Sequence, residues 1–215
     1  MTPPGPRRPD FRGPMPISRP PDPLTPVAAP WPDAPRFVPE WPLPAYRHLP
    51  GHTPHPITHP EGHSHGADWE PPWLPPAQWA VNKPYLFGAD LYHLGYLWES
   101  HEAWEGLWRQ CSRESAEGCF LQALILNSAA LLKARLGQWR GAANNSRKAW
   151  RLFARFREME APGADGRYMG LDPAAFQEAL AACYQPLWSA AGHGETIGPP
   201  PRLPLRRTGV DEPGA

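Results

Sequence analysis

The chain has 215 residues, 33 of them proline, with 21 basic and 21 acidic side chains. That length allows one domain, or one domain with long tails, and the balanced charge supplies no net field to attract nucleic acid or an acidic surface. No apolar run approaches the roughly 20 residues that span a bilayer.

The arginines near the N-terminus are followed by no apolar stretch, so no secretory signal is expected. Three cysteines, Cys111, Cys119 and Cys183, show no metal-type spacing and form an odd set. They fit reduced thiols better than a disulfide frame, and a cytoplasmic protein is the expectation.

The prolines are uneven: 25 of the 33 lie in the first 86 residues. Residues 1–35 combine proline, arginine and few large apolar side chains. Because proline fixes φ and removes a backbone donor, this arm is expected to be disordered or of polyproline type. From residue 36 to 84 the prolines continue, but Phe37, Val38, Trp41, Leu43, Tyr46 and Leu49 now interrupt them. That pattern predicts an extended strap ordered by docking on a folded body, since its backbone makes few internal hydrogen bonds. Six of the nine histidines fall between His48 and His65. They are readable as metal ligands, as a catalytic contribution, or as turn residues that satisfy local backbone groups.

After Pro84 a helical period takes over. A first helix is expected over 89–110, with Leu91, Leu94, Leu97, Trp98, His101, Trp104, Glu105 and Trp108 on one face, and Glu99 away from it. A polar break leads to a second helix over 119–136, whose wide apolar face carries Asn127. Gly137 closes it, and a third helix follows to residue 157 with a basic outer face (Arg147, Lys148, Arg151, Arg155) that reads as solvated. Asp172-Pro173 is a cap followed by proline at the first helical position, and opens a fourth helix to 188. The fold class expected is all-α: a small antiparallel bundle of about four helices over 85–190, behind a long proline-rich strap. Residues 191–215 read as a flexible proline-rich tail.

The run Trp98-Glu99-Ser100-His101-Glu102-Ala103-Trp104-Glu105-Gly106-Leu107-Trp108, followed by Phe120-Leu121-Gln122-Ala123-Leu124-Ile125, resembles the bacterial family catalogued as domain of unknown function 309. The resemblance covers residues 85–156, and one subgroup is also similar in the strap, at Pro54-His55-Pro56 and Gly62-His63-Ser64. It implies a compact all-helical fold and leaves the activity open. Where relatives carry Gly and His, this chain has Ala123 and Asn145, so a ligand set that used that His would differ here.

His101 and Glu105 are one turn apart, a spacing at which two helical side chains reach one ion. The order His101-Glu102-x-x-Glu105 is similar to the zinc-protease motif in which the acid after the first histidine is a general base, a role that would fall to Glu102. One helix supplies too few ligands, so His55, His63 or His65 would complete a site for a divalent metal such as zinc. The competing expectation is a buried hydrogen-bonded cluster of His101, Glu105 and Asn127 that fixes helix register. A metal-free ligand pocket is the third. No G-x-S-x-G or phosphate-binding glycine loop is present. Two classes of function stay open: a small metal-dependent hydrolase, or a non-catalytic bundle that binds a small molecule, a protein or a second copy of itself. Neither nucleic acid nor membrane is expected as a partner.

Overall fold

The computed structural model describes residues 31–67, 70–159, 165–189 and 196–206. A 3-10 helix, Pro76–Val81, precedes five α-helices: α1 (Lys83–His93), α2 (Leu97–Trp108), α3 (Ala116–Arg135), α4 (Trp139–Met159) and α5 (Pro173–Ser189). No strand forms among the described residues, where pairing is limited to the isolated bridge Tyr168–Leu171. The all-α expectation holds, with five α-helices in place of about four.

The extra helix comes from a break inside the stretch expected to be one helix. At its end, the Tyr96 amide donates to the Leu91 carbonyl (2.8 Å) and the Gly95 amide to that of Tyr92 (3.1 Å), while Gly95 sits at φ 77°. This is a left-handed glycine cap that satisfies carbonyls otherwise orphaned. The same pattern ends α3 at Gly137 (φ 68°), with Gln138 bonded back to Lys133. Starts are equally local. Asn82 Oδ1 accepts from the Tyr85 amide (3.1 Å) at α1, and Ser115 Oγ from Gly118 (3.0 Å) at α3. Asp172 Oδ1 accepts from Ala174 and Ala175 (both 3.0 Å), so the Asp-Pro start expected for the last helix is found.

Helix α3 is central, packing against both α2 and α4, while α1 packs on α2 and α5 on α4. Phe120 of α3 meets Phe153 and Phe156 of α4 and Tyr168 at ring distances of 5.8, 5.5 and 5.0 Å. Trp104 of α2 lies against Gly88 of α1, where any Cβ would collide with the indole, and its Nε1 donates to the Tyr85 carbonyl (3.1 Å). The missing side chain at residue 88 therefore sets how closely α1 and α2 approach.

The segment before α1 docks through two buried carboxylates. Asp90 of α1 accepts from the amides of Phe37 (2.7 Å) and Val38 (3.0 Å), and Glu99 of α2 from the amide of His48 (2.7 Å). Val38 and Leu49 are thereby buried. The expected disordered arm falls almost wholly outside the described residues. For the expected flexible tail the outcome differs within 196–206. There Leu203 and Leu205 are buried, the Pro201 carbonyl accepts from the Tyr92 hydroxyl (2.8 Å), and the Leu203 amide donates to His93 Nε2 (3.2 Å). Alternating prolines leave few backbone donors to satisfy, so such a segment can lie on an apolar surface without strand pairing.

Candidate functional site

The register of α2 decides where its chemistry sits. Leu97, Ser100, Trp104 and Leu107 form the buried stripe, and Ser100 Oγ lies 3.3 Å from Ser128 Oγ of α3, so the two helices meet at small side chains. His101, Glu102 and Glu105 consequently fall on the flank, with side chains 28, 30 and 24% exposed. The competing expectation of a buried His101, Glu105 and Asn127 cluster is corrected for the first two: they are half-buried. His101 Nδ1 is 3.2 Å from Glu102 Oε1 and 3.7 Å from Glu105 Oε2, and Glu105 also receives Arg109 at 3.0 Å. One ligand atom from each of His101, Glu102 and Glu105 lies within 4.8 Å of the other two.

Asn127 does not join them. It is buried, its Nδ2 donates to the Tyr92 hydroxyl (2.9 Å), and its Oδ1 accepts from the Tyr184 hydroxyl (3.0 Å). The buried amide expected to cap His101 or Glu105 instead ties α1, α3 and α5 together. Burial pushes the pKa of both tyrosines up, so their hydroxyls stay protonated donors.

The strap histidines also stay apart from that cluster. His55 Nδ1 accepts from the amides of Ile57 and Thr58 (3.3 Å each), the local turn role, while its ring meets Trp98 edge-on at 5.4 Å. His65 is exposed. His63 is inserted, but toward Glu99: its Nε2 lies 3.1 Å from Glu99 Oε1, and both side chains are 4% exposed. Glu99 is thus the functional-looking residue the sequence reading missed. Its Oε1 takes both His48 N–H and His63, while Oε2 is buried without a hydrogen-bond partner among the described residues. The two ring nitrogens of His63 thus have one partner each, Nε2 facing Glu99 Oε1 and Nδ1 lying 2.8 Å from Ser64 Oγ. His48 is buried beside this group, its Nδ1 2.9 Å from Thr53 Oγ1, and burial pushes its pKa down. A carboxylate in the first turn of α2, in a chain with a histidine-rich segment before that helix, was the available signal.

Beside His101 a cavity of about 210 Å³ opens between the strap, α2 and α3, with Pro50, Trp98, Leu132 and Lys133 in its walls. The cysteines supply no competing chemistry. All three are free, and burial pushes the thiols of Cys111 and Cys183 up to about 12, far from reactive thiolates at neutral pH.

Residues 85–145 match the family model described as a domain of unknown function, DUF309. The chain carries a DUF309 domain. The match covers α1, α2, α3 and the start of α4, and so includes His101, Glu102, Glu105 and Lys133, while the strap lies outside it. No curated protein and no solved structure matches the chain. Among the described residues no helix is long and apolar enough to cross a membrane.

Proposed function

We propose that the DUF309 domain binds a divalent cation through His101, Glu102 and Glu105, and presents it to a small molecule held in the adjacent cavity. The observation that supports this reading is the convergence of three ligand atoms within 4.8 Å on one turn of α2. An imidazole with two carboxylates suits zinc or manganese more than calcium, which prefers oxygen ligands throughout. Three protein ligands leave positions for water or substrate, the open arrangement of hydrolytic metal sites. In this reading Glu102 is a ligand first, and its role as general base passes to whichever carboxylate oxygen the ion leaves free. His55, His63 and His65 are not part of the set. The 36–84 strap serves as one wall of the site, and a cytoplasmic setting would keep the free cysteines reduced.

A second reading has its own support. Glu105 is also paired with Arg109, and all three flank side chains are partly solvated. A surface ion-pair network on a non-catalytic binding bundle would look the same without an ion. Metal analysis of untagged protein separates the two. The first reading expects about one equivalent of zinc or manganese, lost in both His101→Ala and Glu105→Ala while circular dichroism and thermal unfolding stay near wild type. Wild-type protein that takes up no stoichiometric divalent ion sinks the metal reading and leaves the ion-pair network.

A further inference from the structure

The cavity next to His101 has two chemically different ends. Trp98 of α2, Ala129 and Leu132 of α3 and Leu136 just after it give it apolar walls, whereas His101, Lys133 and Gln138 are its polar lining residues. A dry apolar cavity of roughly 150 Å³ accommodates a benzene ring. At about 210 Å³ this one has room for a ring-sized body and a small polar head. An apolar pocket with a few convergent polar groups is the usual form of a small-molecule site.

Lys133 determines the sign of that head. It has no carboxylate partner among the described residues. Its methylene stem lies over Gly141 at the start of α4, where a Cβ would come within 2.9 Å of Lys133 Cδ. Glycine there leaves the side chain a shallow bed, with Cε and Nζ each 3.5 Å from the same point, and Lys133 lines the cavity with its charge unopposed by a carboxylate of the described residues. Glu102 and Glu105 would oppose an anion at the His101 end, but a divalent ion held by them cancels their charge.

We propose that the cavity binds a compact aromatic or branched monocarboxylate. Its apolar body would lie against Trp98 and Leu132, and its carboxylate would meet Lys133 and face the ion at His101. This assignment rests on the metal reading for that last contact and for the cancelled charge of Glu102 and Glu105 at that end. The ligand class excludes long acyl chains, which exceed the volume, and disfavours neutral amides, which offer Lys133 an uncharged acceptor in place of a carboxylate.

Calorimetric titration of the full-length protein with benzoate, and separately with benzamide, tests the assignment, each run with and without saturating zinc. Saturable benzoate binding is expected, with benzamide weaker by about tenfold or more, since a charge-assisted hydrogen bond is lost. Lys133→Met keeps the stem and should erase the difference between the two ligands. Ala129→Phe should fill the cavity and abolish benzoate binding while zinc binding persists. Zinc uptake without saturable benzoate binding overturns the pocket assignment and leaves the metal reading standing. Benzoate binding in protein that takes up no zinc overturns the metal reading and keeps the pocket. Benzoate affinity unchanged in Lys133→Met overturns the assignment of the head group.

Discussion

Two carboxylates three positions apart on α2 carry opposite expectations. Glu102 is partly solvated beside His101, whereas Glu99 is buried with His63 and the His48 amide as its partners. Exposed ion pairs contribute between about 0 and 1 kcal/mol, because water screens them and two side chains must be held in place. Removing one member of a buried polar set strands the others and costs about 3–5 kcal/mol when charge is involved. Urea unfolding should therefore show a large loss of stability in Glu99→Ala and a loss below about 1 kcal/mol in His101→Ala. Equal losses would mean that Glu99 is not what holds the strap. The i and i+4 spacing of His101 and Glu105 was legible from sequence because it survives any rotation of the helix. Depth was not legible, because it depends on which face of α2 meets α3. That phase places Ser100 against Ser128, a contact of small side chains that no pattern of large apolar residues reveals.

At the scale of elements, the break between α1 and α2 explains why the phase was misread. Leu91, Leu94, Leu97, Trp98 and His101 keep a helical period across Gly95, so the pattern reads as continuous. Gly95 lies in the left-handed region at φ 77° and the Schellman bonds close around it. The other boundaries were readable because their signals were chemical rather than periodic: Asp172-Pro173 before α5, Gly137 after α3. Gly95→Ala forces a Cβ into a conformation that costs about 1–2 kcal/mol. It also opposes the turn that hands His101 its flank position. A destabilisation of about 1–2 kcal/mol, accompanied by weaker zinc binding, is expected; a variant as stable as wild type would show that the turn tolerates a side chain. Asn127 belongs to the same scale. The sequence offers it His101 and Glu105 of the preceding helix as partners, but the buried hydroxyls it meets, those of Tyr92 and Tyr184, come from α1 and α5.

For the whole molecule, both extended segments converge on the end of α1, and a histidine sits where they meet. His93 is buried, its carbonyl accepts from the Trp31 amide (3.2 Å), and its Nε2 accepts from the Leu203 amide (3.2 Å). An accepting Nε2 requires a neutral ring with the proton on Nδ1. Burial, and to a lesser degree the nearby Arg202 charge, pushes the His93 pKa down to about 4 from 6.5, and burial also lowers that of His48. The unfolded chain therefore binds protons that the folded chain refuses. Stability from His93 is fully present above pH 6.5 and is lost as pH falls from there toward 4, at up to about 1.4 kcal/mol per unit. Asp90, whose carboxyl burial pushes up from 3.8, opposes this trend only near the acid end of the window, where its own protonation begins to favour the folded state. Hydrogen exchange at pH 6.5 and pH 4.5 checks both the slope and its location. Protection of the Leu203 amide should fall most, since a proton on Nε2 abolishes the acceptor it uses. His93→Gln, which still offers an uncharged acceptor, should flatten the pH dependence; a slope unchanged in that variant would move its origin to His48 and the strap.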